Sequence, residues 1–143
     1  MRHVDPTIIP GVTRVGPFAS ITPKELKDWL GMGMIVHICD PRGNTHLHNA
    51  VREGAKPFVI NFLLKKGLDV NARNEWGETA LVIAARDGID ALVEILLNNG
   101  ADPNIRTRAG YSALTMAKEN GHAKVAERLV AHGAKPGRLR TRK

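Results

Sequence analysis

Pairs of large apolar residues recur along the chain, at Trp29-Leu30, Leu63-Leu64, Leu96-Leu97 and Leu129-Val130. A further apolar residue precedes each pair by three and four positions: Leu26, Ile60, Val93 and Ala126. Residues three and four apart share one face of an α-helix, so each set predicts a helix with one buried stripe. A glycine follows each pair, at Gly33, Gly67, Gly100 and Gly133, with spacings of 34, 33 and 33 residues. It suits a helix C-terminus, where a left-handed residue without Cβ costs little.

The segments between these helices recur as well. A short extended piece follows the glycine, Leu68-Asp69-Val70-Asn71 in one unit and Ala101-Asp102-Pro103-Asn104 in the next. Seven residues after the glycine stands Asp40, Asn74 or Thr107, then a second glycine at Gly43, Gly77 or Gly110. Two residues on is a hydroxyl, Thr45, Thr79 or Ser112. A hydroxyl there predicts an N-cap, accepting a bond from an otherwise unpaired backbone N–H. A short apolar helix starting at His46, Ala80 or Ala113 follows, closed by Gly54, Gly88 or Gly121. Each unit therefore reads turn, helix, helix, with a period near 33 residues. One such unit cannot bury its apolar face alone, whereas stacked units can.

The run Gly43-Asn44-Thr45-His46-Leu47-His48-Asn49-Ala50 resembles the G-x-T-P-L-H-x-A signature of the ankyrin repeat, with His46 in the proline place. Gly77-Glu78-Thr79-Ala80-Leu81 and Gly100-Ala101-Asp102-Pro103-Asn104 resemble it again, and the likeness covers about residues 24–134. It implies an all-α ankyrin-repeat solenoid of about three helix-turn-helix repeats with short, poorly paired hairpin fingers. The repeats are expected at 40–73, 74–106 and 107–134, the last acting as the C-terminal cap. Residues 22–39 read as an N-terminal capping half-repeat, because Thr22-Pro23-Lys24-Glu25 forms a capping box with proline at the first helical position. Pro57 is likewise placed to start a helix. Lys118 and Arg128, which replace apolar residues of the earlier units, are expected to make the outer face of the last repeat polar. Residues 1–21, with Pro6, Pro10 and Pro17, read as an extended arm, and 135–143 as a flexible basic tail.

Composition agrees with helix packed on helix. Aromatic residues make up 4% of the 143, so the core must come from aliphatic residues. The net charge of +7 suggests a polyanion partner until its distribution is considered. Five cations lie in 135–143, and the remainder holds sixteen basic against fourteen acidic residues. Cys39 is the only cysteine, which excludes an internal disulfide and a CxxC metal site. The start, Met1-Arg2-His3-Val4-Asp5-Pro6, has no leader-like apolar run, and no stretch reaches the length of a membrane span. The expectation is a cytoplasmic protein, monomeric and without a membrane anchor.

Candidate chemistry is sparse. His46-x-His48 could suggest a metal pair, but residues two apart on a helix diverge and no further ligand stands at metal spacing. The family resemblance instead implies a structural role for His48, with its ring bonding nearby backbone. Cys39 follows the apolar run Met34-Ile35-Val36-His37-Ile38, where a thiol is ordinarily buried and inert. No phosphate loop, nucleophile elbow or zincin motif occurs, so no catalytic residue, metal or cofactor is assigned.

What remains is binding. The resemblance implies partner recognition through a concave face built by the finger tips and the first-helix ends. The residues falling there are Arg42, Asn44, Arg73, Glu75, Trp76, Glu78, Arg86, Arg106, Arg108 and Tyr111. Trp76 and the arginines belong to residue types enriched among interface hot spots. Their net positive balance favours another protein with an acidic patch, in an adaptor, inhibitor or effector role. The competing reading is a nucleic-acid-associated protein whose basic tail binds phosphate without specificity. It is disfavoured because the body lacks an Arg- and Asn-rich recognition helix.

Overall fold

The computed structural model of the protein describes residues 22–31 and 39–135. The expected arm at 1–21, the rest of the half-repeat at 32–38 and residues 136–143 of the tail lie outside the described residues.

Seven helices form among the described residues, and no strand. Helix α1 (Pro23–Gly31) starts at the expected capping box: Thr22 Oγ1 accepts the Glu25 N–H at 3.2 Å, and the Glu25 carboxylate accepts the Thr22 N–H at 2.9 Å. Three helix pairs follow: α2 (His46–Arg52) with α3 (Pro57–Lys65), α4 (Ala80–Asp87) with α5 (Asp90–Asn98), and α6 (Ala113–Glu119) with α7 (Ala123–Ala131). The predicted hydroxyls cap the first helix of each pair. Thr45 accepts from the His48 N–H at 3.3 Å, Thr79 from the Val82 N–H at 3.2 Å and Ser112 from the Thr115 N–H at 3.2 Å. Helix α3 begins at Pro57, whose missing N–H is no loss in a first turn. Gly88 ends α4 in the left-handed conformation, with φ 71°.

The helices stack in two rows. Helices α2, α4 and α6 pack in sequence as an inner row, while α1, α3, α5 and α7 form an outer row behind it. Leu47, Leu81 and Leu114 of the inner row meet Ile60, Leu63, Val93, Leu96 and Leu129 of the outer row in one continuous buried core. The whole is an all-α repeat solenoid. Neighbouring repeats meet inner helix to inner helix and outer helix to outer helix, so stability accrues by neighbours.

Two details depart from expectation. Lys118 is exposed, as a terminal repeat should show, but Arg128 points back to the preceding repeat. Its guanidinium grips both carboxylate oxygens of Asp90, at 2.7 and 2.9 Å, and approaches Glu94 at 3.4 Å. Its counterparts Phe62 and Ile95 are apolar and pack against the core. A fork-shaped ion pair takes over that contact between α7 and α5, and the Arg128 bond holds the Asp90 carboxyl below its usual pKa. Lys135, expected to open the tail, donates its backbone N–H to Asn104 Oδ1 at 2.9 Å. This bond has a counterpart one repeat earlier, where Asn71 Oδ1 accepts the Asp102 N–H at 2.8 Å. Asn71 and Asn104 also donate to the carbonyls of Gly100 and Gly133, at 3.3 and 3.2 Å. A side-chain ladder thus ties together the loops that follow α3, α5 and α7.

Candidate partner-binding surface

Three fingers project from the inner row, and the residue seven positions after each repeat glycine shapes them. Asp40 Oδ1 accepts the N–H groups of Arg42 and Asn44, each at 2.9 Å. Asn74 Oδ1 accepts those of Trp76 and Glu78, at 3.0 and 2.9 Å. Thr107 Oγ1 accepts that of Tyr111 at 3.1 Å. Side-chain oxygens folding the backbone this way let a tight finger form without a strand ladder. Burial pushes the Asp40 carboxyl up, but the bonds from Asn44 and Arg42 together outweigh it and hold the group ionised below its usual value.

Adjacent fingers are stitched together. The Glu75 N–H donates to the Arg42 carbonyl at 2.8 Å, and the Arg108 N–H to the Trp76 carbonyl at 3.0 Å. Asn74 Nδ2 donates to Asn44 Oδ1 at 2.9 Å, and Arg73 Nη2 to the Arg106 carbonyl at 2.7 Å. Gly77 sits at φ 76°, and a Cβ there would stand 2.9 Å from the Arg108 nitrogen. The fingers can come this close only because that residue has no side chain.

The ten residues singled out from the sequence therefore divide. Asn44 is 4% exposed and belongs to the framework, linking Asp40, Arg52 and Asn74 rather than facing a partner. Arg73 and Arg106 spend their guanidinium groups on backbone carbonyls, Arg106 on that of Gly110 at 2.9 Å. Glu78 is partly buried between Asn74 Nδ2 at 2.9 Å and Arg86 Nη1 at 3.2 Å. Glu75 and Arg108 are exposed on the finger edge. Trp76 stands 45% exposed at its middle, with the Arg42 guanidinium carbon 5.7 Å from the ring centroid, within cation–π range.

Two depressions flank Trp76. One, of about 480 Å³, lies between the first two fingers and is lined by Arg42, Asn44, Arg52, Trp76, Glu78 and Arg86. The other, of about 420 Å³, lies between the second and third fingers, where Val82, Tyr111 and Met116 join Trp76 and Arg108. Arg52 donates to the amide oxygens of Asn49 and Asn44, at 2.9 and 3.2 Å, and is attracted by the Asp40 carboxylate without forming an ion pair with it. Sequence reasoning missed the apolar lining. Its signal was available: Val82 and Met116 stand where the first repeat has His48 and Asn49.

The remaining candidates resolve physically. Both ring nitrogens of His48 are engaged: Nδ1 accepts the Thr45 N–H at 3.0 Å, and Nε2 lies 2.8 Å from the Glu78 carbonyl. The bond accepted at Nδ1 places the ring proton on Nε2, which donates to Glu78. Cys39 is exposed, not buried as its apolar neighbourhood suggested. It enters the first finger through a lone bridge to Thr45.

A stacked helical array with a grooved finger face defines a class of repeat scaffold. The family model for ankyrin repeats in three copies matches residues 24–107 and again 47–140, and the chain belongs to the ankyrin-repeat family. No curated protein matches it. Ankyrin repeats are in general protein–protein interaction modules and typically non-catalytic. Among the described residues no helix is long and apolar enough to cross a membrane.

Proposed function

We propose that the protein binds a partner protein through its finger and inner-helix face, without catalysing a reaction. The observation that carries this reading is Trp76: a large apolar ring, 45% exposed, held on a stitched finger edge and bordering both depressions. Isolated exposed apolar residues are ordinary, but a rigid aromatic beside concave walls is the usual form of an interface anchor. Little ordering is needed on binding, because the fingers are already fixed to one another. The expected acidic partner patch rests on one arginine of the set chosen from the sequence, Arg42, joined by Arg52. Arg73 and Arg106 brace the fingers and Arg86 pairs with Glu78 and Asp87, so Arg42 and Arg52 are the arginines of the first depression that present the charge. The reading takes the protein as a monomer in a cytoplasm-like, reducing compartment, in keeping with its single cysteine.

The test begins with the partner captured on the intact protein. Trp76→Ala should weaken its binding roughly thirtyfold, the loss for a hot spot of about 2 kcal/mol, with melting temperature unchanged. Glu127→Ala, exposed on the outer helix α7, should leave affinity intact. Full affinity in Trp76→Ala together with a large loss in Glu127→Ala would put the interface on the opposite face.

A further inference from the structure

The two depressions beside Trp76 differ in chemistry, and that difference specifies what can occupy them. The first holds the arginines Arg42, Arg52 and Arg86 against one carboxylate, Glu78. That carboxylate is already engaged by Arg86 at 3.2 Å. Arg42 contacts the Trp76 ring and Arg52 contacts neutral amide oxygens, and neither forms an ion pair among the described residues. Unpaired guanidinium groups above a concave floor favour a carboxylate, which Arg can bind through two parallel bonds. The second depression is walled by Trp76, Val82, Tyr111 and Met116, with Glu78 and Arg108 also on its lining, and its apolar walls favour an apolar side chain. Trp76 and Glu78 line both.

Resting on the finger-face reading above, we infer that the partner contributes one short segment carrying an Asp or Glu and an aliphatic or aromatic residue. The carboxylate seats on Arg42 and Arg52, and the apolar side chain enters between Trp76 and Met116. The separation of the two follows from the repeat. The first depression spans fingers one and two and the second spans fingers two and three, so they are offset by one repeat. Packed helices lie about 8–10 Å apart, and an extended chain in the polyproline II form advances about 3.1 Å per residue with three residues per turn, so side chains three positions apart face the same way. The acidic and apolar residues of an extended segment should therefore stand about three positions apart. Charge complementarity selects an acidic protein segment; a phosphate chain would satisfy the arginines but leave the apolar depression empty.

The probe is a library of random dodecapeptides displayed on phage, selected on the full-length protein and depleted on its Trp76→Ala variant. Enriched sequences should carry an acid and a large apolar residue about three positions apart. Arg42→Glu should shift the selected charge from acidic to basic while keeping the apolar preference. Met116→Ser should relax the apolar preference while keeping the acid. Both variants should keep the wild-type melting temperature. Enrichment of Trp76-dependent peptides without an acid, or with charge preference unmoved by Arg42→Glu, would overturn the inference and leave the finger-face reading standing. Failure to obtain any Trp76-dependent peptide would overturn the inference, and the partner measurements on Trp76→Ala would then decide the finger-face reading separately.

Discussion

His48 shows how one side chain ties a helix cap to a stacked neighbour. It closes the capping box of α2 through Thr45 and bridges to the Glu78 carbonyl of the next finger. Burial, which outweighs the bond to Glu78, holds its pKa below the ordinary histidine value. The folded state thus takes up a proton less readily than the unfolded state, so stability is lost as the proton binds. The histidine's contribution is complete above about pH 6.5, the unfolded value, and falls away as pH drops through the lower folded value. Thermal melts should accordingly show a fall in stability between pH 7 and pH 5. His48→Val, which copies Val82 of the second repeat, should flatten that fall and cost about 1 kcal/mol at neutral pH through the lost cap bond. The Glu78 carbonyl would keep the Asn74 N–H at 3.1 Å. An unaltered pH slope in that variant would assign the titration to another group. At this scale the sequence was a partial guide. Trp76 was legible as an aromatic at a finger tip, but not its 45% exposure, since the ring could equally have packed on the adjacent finger. The bracing bonds of Arg73 and Arg106 and the burial of Asn44 were not legible, because each depends on which carbonyl or amide the fold brings beside it.

The elements were largely legible because their signals are local. The spacing of Leu63, Leu64 and Ile60 and the hydroxyls Thr45, Thr79 and Ser112 set helix faces and helix starts without reference to the rest of the chain. The fingers were harder, since their backbone bonds join residues 32 and 33 positions apart, Trp76 to Arg108 and Arg42 to Glu75. Gly77 and Gly54 separate the two effects that a glycine can serve. Both have positive φ, 76° and 70°, but an added Cβ meets nothing within 4 Å at Gly54 and meets the Arg108 nitrogen at 2.9 Å at Gly77. Gly54→Ala should cost about 1–2 kcal/mol, the backbone strain alone. Gly77→Ala should cost more than that, because the Arg108 to Trp76 bond must also stretch or break. It should weaken partner binding too, since Trp76 rides on the displaced finger. Denaturant melts of the two variants compare the costs directly. Equal losses would mean that the fingers yield freely and do not hold Trp76 in place.

On the scale of the molecule, the repeat itself carries the fold, and the period of Gly67, Gly100 and Gly133 announced it. What the period could not reveal is how unevenly the repeats are supported. Helix α4 packs against α2, α5 and α6, whereas α7 packs against α5 and α6. Arg128 fastens the last outer helix to its neighbour through the bidentate pair with Asp90 and a longer one with Glu94. Leu81 in α4 and Leu129 in α7 are both buried, at 1% and 0% exposure. Each leucine should therefore cost about 2–5 kcal/mol when cut to alanine. The consequences should differ, because a repeat array gains much of its stability from interfaces between neighbours. Leu81→Ala weakens the repeat that both others lean on, so the array should lose structure in a single transition at lower denaturant. Leu129→Ala weakens a repeat with one neighbour, so α6 and α7 should open first, leaving α2 to α5 folded at intermediate denaturant. Amide exchange followed residue by residue distinguishes these outcomes. Selective loss of protection in α6 and α7 is expected for Leu129→Ala, and uniform loss for Leu81→Ala. Uniform loss in both would show that three repeats are too few to unfold by parts. The finger face would then depend on every repeat at once.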